Sequence, residues 1–444
     1  MKKLVILGGG ESGAGAAVLG KKQGYDVFVS DSGSLKEKYR NLLLENNIRF
    51  EEGIHTEAEI MKASEIIKSP GIPEKSEIIR KLKQKGTPVI SEIEFAGRYT
   101  DAKMICITGS NGKTTTTHLI YHIFKKAGLN AGIAGNVGNS LAMQVAGEKR
   151  DYYVVELSSF QLDDMYDFRA DVAILLNITP DHLDRYNYSM QEYTNSKFRI
   201  LRNQREKDVF IYCLDDEIVM NELKKKKILP VQYPFSIKGK PAQGASLGNN
   251  EMIIKTTNNT FTMSIFDLAL QGKHNIYNSM AAGIAASVFN LRNEVIRESL
   301  SDFQNIEHRL EFVMSVHGID FVNDSKATNV NSTWYALESM TRPVILILGG
   351  IDKGNDYSML HELAKEKVRA IVCLGADNKK IHKAFSGLVP DIIDTRSADE
   401  AVRAAYSIGK SGDVVLLSPA CASFDLFQNY EDRGRKFKNA VRSL

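Results

Sequence analysis

The chain reads as α/β, folded as three open-sheet domains, on three observations. A glycine-rich loop follows an apolar strand at the N-terminus, Lys3-Leu-Val-Ile-Leu-Gly8-Gly9-Gly10-Glu11-Ser12-Gly13. A second loop, Thr108-Gly109-Ser110-Asn111-Gly112-Lys113-Thr114-Thr115, follows the apolar run Met104 to Ile107 in mid-chain. The last third repeats short apolar runs (Val344 to Leu348, Ala370 to Leu374, Asp413 to Leu417) with room for a helix between them. Strands alternating with helices build parallel sheets covered on both faces. The 444 residues suit about three domains, expected at 1–97, 98–305 and 306–444. The first is a Rossmann-like parallel sheet. The second is a P-loop ATPase-type domain with a small antiparallel insertion, and the third is again Rossmann-like.

Composition removes several classes of function. Hydrophobic residues make up 43% and charged residues 25%, the balance of an ordinary globular protein. Lys and Arg number 57 against 54 Asp and Glu, so the net charge of +3 leaves no basic footprint for nucleic acid or an anionic membrane. Lys224 to Lys227 is most simply a solvated helix end. The apolar run after Met1-Lys2-Lys3 is too short for a signal peptide, and nothing is long enough to span a bilayer. A cytoplasmic location is expected. The 4 cysteines (Cys106, Cys213, Cys373, Cys421) lie far apart with no C-x-x-C pair, which argues against a zinc site or a disulfide framework.

In the first domain, Gly8, Gly10 and Gly13 satisfy G-x-G-x-x-G after a strand. Asp31 ends the next strand about 20 residues on, where an acid would take a ribose hydroxyl. That geometry serves any diphosphate attached to a ribose, and the glycines also suit plain helix-on-strand packing. Glu11 places a carboxylate where an anion is expected, so its side chain must point away. Glu65 to Lys68 reads as a strand ending in the turn Ser69-Pro70-Gly71, and Val89 to Glu94 as another, before the domain closes near Gly97.

The mid-chain loop lacks bulky side chains, so its N–H groups can close on a polyphosphate at the N-terminus of the following helix. Lys113 adds a full charge, and the Thr114 hydroxyl is placed to ligate magnesium. The general P-loop has glycine where this chain has Ile107, so the match is to a shorter G-x-x-G-K-T form. ATP binding is the reading; a glycine-rich turn with a solvated lysine is the alternative. Ala134 to Gly138 reads as a polar turn, and Tyr152 to Phe160 as a strand whose buried apolar run meets the acidic Glu156. A carboxylate there holds magnesium in nucleotide-dependent enzymes, although it could also cap a helix. Val172 to Asn177 runs into Asp181-His182-Leu183-Asp184, where His182 suits a metal or phosphate role. Lys197 falls in an expected helix, Gln191 to Leu201, where a solvated lysine is the default. Gly244 to Phe266 alternates short strands with turns as the antiparallel insertion. Asn275 and Asn278, opening a helix of small residues (Ser279 to Val288), suit a base or phosphate, or equally plain capping.

Strand ends of the last third carry Asp324 to Asn329, Gly349 to Gly354 and Ser418 to Asp425. Ligands bind outside such ends, and two lysines with several hydroxyls there suit an anionic substrate.

Thr108 to Thr115, Glu156 to Ser159, Asn177 to Asp184, His274 to Asn278, His308-Arg309-Leu310-Glu311 and Asp324 to Asn329 occur in this order. Together they resemble the Mur ligases of bacterial peptidoglycan synthesis across essentially the whole chain. Ser69 to Ile72, Ser91 to Glu94, Gly349 to Asp356 and Leu417 to Asp425 point within that family to ATP-dependent addition of D-glutamate to UDP-N-acetylmuramoyl-L-alanine. The resemblance implies a catalytic set of Lys113, His182, Lys197 and Lys326. It implies ATP on Gly109, Ser110, Asn111, Gly112, Lys113, Thr114 and Thr115, with Asn275, Asn278, Arg309 and Asp324. Glu11, Ser12, Asp31, Ser32, Gly71, Asn136 and His182 would hold the UDP substrate, with no nicotinamide. Lys326, Thr328, Lys353, Ser418 and Phe424 would receive the amino acid. Thr114, Glu156, His182 and Lys197 would carry two magnesium ions, Lys197 as a carbamate. A monomer is expected.

Three rivals differ by what they leave unexplained. A folylpolyglutamate synthase-like ligase would lack the N-terminal glycine-loop domain. A nicotinamide-dependent oxidoreductase would leave the Lys113 loop idle. A non-catalytic nucleotide sensor would need no Glu156, His182 and Lys326.

Overall fold

The computed structural model describes residues 2–303 and 307–444. Its first sheet contains β1 (Lys3–Leu7), β2 (Asp26–Asp31), β3 (Arg49–Glu52), β4 (Glu65–Lys68) and β5 (Val89–Ile90) in the order β3-β2-β1-β4-β5. All its pairs are parallel. Leu4 to Leu7 are buried, as a strand covered on both faces requires. The helix Glu11–Lys22 packs tightly because its residues are small; a Cβ on Gly13 would stand 1.9 Å from the Gly8 carbonyl oxygen. The strand expected over Val89 to Glu94 stops at Ile90. Ser91 caps a helix there instead (Glu92–Gly97), its hydroxyl accepting from the Glu94 N–H at 3.1 Å.

The second sheet takes β6 (Lys103–Thr108), β7 (Ala131–Gly135), β8 (Tyr152–Glu156), β9 (Val172–Leu175), β10 (Val209–Cys213), β11 (Val231–Ser236), β12 (Gly244–Gly248), β13 (Glu251–Lys255) and β14 (Thr260–Ser264). Their order is β14-β13-β12-β11-β10-β9-β6-β8-β7. The antiparallel strands β12 to β14 therefore extend one edge of the main sheet, β12 pairing parallel with β11. Ala134 and Gly135, expected in a turn, complete β7. The expected helix over Gln191 to Leu201 is α-helical at Met190–Phe198 and tightens to 3-10 form at Arg199–Leu201. The helix expected from Ser279 begins at Lys273.

By its contacts the chain divides into two units, residues 1–269 with 275–303, and 270–274 with 304–444. The first two sheets thus share a unit, and carboxylates on backbone amides join them. Glu11 accepts from the Ser140 N–H at 3.3 Å, and Glu92 from that of Ala142. Glu94 accepts from Tyr166, Asp167 and Phe168, the last at 2.9 Å. Lys68 meets Asp164 at 2.9 Å with both side chains only 2% exposed.

The other unit holds β15 (Glu311–Val316), β16 (Ile319–Asn323), β17 (Val344–Leu348), β18 (Val368–Leu374), β19 (Asp391–Thr395) and β20 (Val414–Leu417), ordered β15-β16-β20-β17-β18-β19. Only the β15–β16 hairpin is antiparallel. The boundary expected at 305 and 306 lies outside the described residues. No helix among the described residues is long and apolar enough to cross a membrane.

Burial, with Glu11 nearby, pushes the Glu92 carboxyl from 4.5 up to about 8. The folded chain then keeps this proton to higher pH than the unfolded chain, so the contribution to stability falls as pH rises from about 4.5 to about 8. Glu92→Gln keeps an acceptor for Ala142. It should match the parent below this range and become the more stable of the two as pH rises through it, read from urea midpoints.

Candidate functional site

The register of the second sheet sets three strand ends side by side. Ile107 stands opposite Glu156, and Thr108 opposite Leu175. The loop 109–112 leaves β6 at this edge and enters the helix Lys113–Lys126 through Gly112, whose φ of +85° lies in the left-handed region. A Cβ on Gly112 would also fall 2.4 Å from Asn278 Oδ1, itself 3.2 Å from the Thr116 hydroxyl. Glycine is therefore dictated twice over, by backbone and by neighbour.

The segment after β9 braces the loop. Ser110 N–H donates to the Asn177 carbonyl at 2.8 Å, and the Ser110 hydroxyl to the Thr179 carbonyl at 2.8 Å. Asn111 and Asn177 exchange hydrogen bonds, N–H to Oδ1 at 2.8 Å and Nδ2 to carbonyl at 3.0 Å. Thr114 and Thr115, in the first helical turn, are both buried.

Two lysines converge on one backbone oxygen. Lys113 Nζ donates to the carbonyls of Gly109 and Ser110, both at 2.8 Å, and Lys197 Nζ donates to Gly109 at 2.8 Å. Lys197 is not the solvated residue its helix suggested: it is 1% exposed, with its ammonium 4.6 Å from the centre of the Tyr193 ring. Burial first, and the neighbouring Lys113 charge second, hold its ammonium well below the usual lysine range. Asp181, Asp163 and Glu156 oppose that shift through their negative charge. Tyr193, which the sequence reading overlooked, also reaches the Ser110 hydroxyl at 3.1 Å. Its signal was available, since it stands one helical turn before Lys197 on the same face.

Glu156, 1% exposed at the end of β8, accepts from Asn136 Nδ2 at 2.8 Å, and Asn136 N–H donates to the Glu156 carbonyl at 2.9 Å. His182 adopts φ +51°, packs edge-on against Phe160 at 5.3 Å, and lies 3.7 Å from the Asp181 carboxylate. Arg185 lies with its guanidinium over the Phe160 ring, 4.4 Å from the ring centre. Its guanidinium donates to the carbonyls of Pro70 and Gly71 at 3.3 and 3.4 Å, linking the turn after β4 to this site.

At the N-terminal loop, Asp31 accepts from Gly9 N–H at 2.7 Å and Gly33 N–H at 2.8 Å. Both carboxylate oxygens thus hold the loop in shape. Glu11 turns aside, as its charge demanded, to Ser140 and to the Tyr39 hydroxyl at 2.9 Å. Ser12 is half-buried at the helix start, and Ser32 and Gly71 are exposed. Asn275 and Asn278 pair with one another at 3.2 Å on the first turns of the helix Lys273–Val288.

In the second unit, Asp324 is buried at the end of β16, accepting from Leu310 N–H at 3.2 Å and the Ser418 hydroxyl at 2.9 Å. Burial pushes its carboxyl up to about 7, against the pull of Ser418 and the Arg309 charge. Ser418 is fully buried, its hydroxyl turned inward rather than toward the rim. Lys326 is half-buried with its ammonium 5.3 Å from the Tyr430 ring centre; Thr328 is half-buried, Lys353 exposed and Phe424 68% exposed. Arg433 stitches the loops behind them. Only 1% exposed, it donates to Ser325 Oγ (3.0 Å), the Ser325 carbonyl (2.9 Å) and the Cys421 carbonyl (3.2 Å). No motif marked it, because its partners, the Ser325 hydroxyl and backbone carbonyls, lie far off in sequence.

A strand, a glycine loop, a lysine and a threonine-led helix, with an acid ending the neighbouring strand, define a P-loop nucleotide-dependent enzyme whose chain also folds two further α/β sheets. Residues 107–286 match the Mur ligase middle domain, 308–421 the Mur ligase glutamate ligase domain, and 3–78 the MurD N-terminal domain. The chain belongs to the Mur ligase family. It is 59% identical to the UDP-N-acetylmuramoylalanine--D-glutamate ligase of Bacteroides fragilis and 58% to that of Bacteroides thetaiotaomicron, covering 100% of both chains in each comparison. Its fold is similar to that of a pseudomurein peptide ligase type C from Methanothermus fervidus, at 21% identity and TM-score 0.64, over 100% of each chain.

Gly112→Ala should leave the circular dichroism spectrum in place while weakening nucleotide binding by at least about tenfold, because its Cβ strains the loop. Equilibrium dialysis with labelled nucleotide measures this.

Proposed function

We propose that the chain is an ATP-dependent ligase that joins D-glutamate to the alanyl carboxyl of UDP-N-acetylmuramoyl-L-alanine in the cytoplasm. The observation that carries the chemistry is Lys197, buried against the Gly109 carbonyl that Lys113 also binds, and drawn toward its charged form by Asp181, Asp163 and Glu156. The choice of acceptor and amino acid is supported by full-length relatives named for this reaction. On this reading residues 1–97 hold the UDP substrate, 98–305 the ATP and 306–444 the amino acid, and the enzyme works as a monomer.

A carboxylate resists attack by an amine because oxide is a poor leaving group. An alanyl carboxylate oxygen therefore attacks the γ-phosphorus of ATP; the bond to the β-phosphate oxygen breaks, ADP leaves, and an acyl phosphate remains. The neutral amine of D-glutamate then adds to the acyl carbon. The tetrahedral intermediate expels inorganic phosphate as the amide forms, and the amine surrenders its extra proton. The phosphoryl step is positioning plus charge neutralisation, which Lys113 and the N–H groups of 109–112 supply.

The donor set fits magnesium. The Thr114 hydroxyl stands in the first turn, and Glu156 is a hard oxygen donor held at one edge by Asn136. Thr114, Glu156 and His182 would hold the ion, which would supply further neutralisation of phosphoryl charge. Carbamylation needs a neutral amine, the form burial favours at Lys197. Its nitrogen adds to carbon dioxide and loses a proton, replacing the neutral amine with a carboxylate that would help carry a second ion. Asn275, Asn278, Arg309 and Asp324 hold the rest of ATP; Lys326, Thr328, Lys353 and Phe424 receive D-glutamate. Ser418, being buried, acts on this rim by orienting Asp324.

Phosphate release should require ATP, the UDP-muramoyl-alanine acceptor and D-glutamate together, and a panel of D- and L-amino acids should leave D-glutamate the preferred substrate. Absence of ADP with all three present would overturn the reading. Lys113→Ala should lower turnover by at least about a hundredfold. Lys197→Ala should do the same, and full activity in that variant would remove the carbamate.

A further inference from the structure

One cluster of metal-binding side chains lies apart from the ATP site. Cys373 on β18 and Asp394 on β19 are direct cross-strand partners, so both side chains stand on the same face of the sheet. The helix Lys379–Phe385, which crosses from one strand to the other, brings His382 onto that face. His382 Nε2 lies 3.1 and 3.2 Å from the two Asp394 oxygens, and the thiol, imidazole and carboxylate donor atoms all fall within 4.8 Å of one another. The three residues share one β-α-β unit, so its backbone sets their spacing.

From this geometry we propose that Cys373, His382 and Asp394 bind a zinc ion. A thiolate and an imidazole select a soft or borderline cation over magnesium. With the carboxylate they make a three-ligand set that leaves a fourth tetrahedral position to water. Thiolate and carboxylate together balance a divalent charge.

Asn378 supplies a second, independent observation. It is 9% exposed and donates through Nδ2 to Asp394 Oδ1 at 2.9 Å, orienting the carboxylate as outer residues of metal sites do. Its own Oδ1 has no hydrogen-bond partner among the described residues. Asn378, His382 and Asp394 line a cavity of about 420 Å³, while the Cys373 thiol lies buried behind them. A cation here would tie the edge strand β19 to β18 and to the helix. That helix also bears Lys380, paired with Asp352 at 3.0 Å beside the Lys353 loop.

The test is titration of the metal-free full-length protein with cobalt(II). A near-ultraviolet sulfur-to-cobalt charge-transfer band is expected, displaced by zinc. Neither Glu156 nor His182 offers sulfur, so cobalt at the ATP site gives no such band. Cys373→Ser should abolish it. His382→Ala, at a half-exposed position where folding should survive, should weaken binding at least about tenfold; Cys213→Ser should leave the band intact. Zinc should raise the melting temperature of the parent but not of His382→Ala. No band in the parent, or a band retained unweakened by Cys373→Ser or His382→Ala, means a hydrogen-bonded cluster only and overturns the site.

Discussion

Two lysine side-chain nitrogens on one carbonyl oxygen form the arrangement on which the rest of this active site depends. Lys113 and Lys197 both donate to Gly109. Like charges this close in a buried setting repel, and the cost falls on the more deeply buried partner. Burial first, and the Lys113 charge second, hold Lys197 well below its ordinary range, while Asp181, Asp163 and Glu156 draw it back. A lysine in that balance is poised to change its chemistry, whereas an exposed lysine in the same helix would only be solvated.

That balance requires the strands to be held in place, and backbone amides do much of the holding. Glu11, Glu92 and Glu94 all accept from N–H groups of the second sheet's loops and helix starts. The Lys68–Asp164 pair adds a charged contact with neither side chain open to water. Removing one partner of such a pair costs far more than the pair itself contributes. The contacts thus specify how the first sheet meets the second more than they add stability. Arg433 does comparable work in the other unit, spanning Ser325 and Cys421 with one buried guanidinium.

Legibility in the sequence followed the range of the interactions. The loop Gly109 to Thr115 was readable because a strand, a glycine turn and a helix start lie within a dozen residues. Glu156 and Asp324 were readable as acids ending apolar runs. Lys197 was not: its helix is polar, and only the approach of Gly109, 88 positions away in sequence, makes it exceptional. Asp31 was read as a ribose ligand, yet the fold shows both its oxygens engaged by Gly9 and Gly33. Ser418 looked like a rim hydroxyl until the strand order placed it facing Asp324. The antiparallel segment was recognised, but its attachment to β11 was not, since pairing across a sheet edge leaves no local trace.

The sequence by itself determined the α/β class, the phosphate loop and the family, because periodicity and glycine placement are local properties of the chain. Tertiary structure decided which lysine lies buried, which carboxylates serve as braces, and which distant cysteine, histidine and aspartate share a sheet face. Those outcomes depend on strand order and register, and hence on burial and charge contributed by residues far apart along the polypeptide.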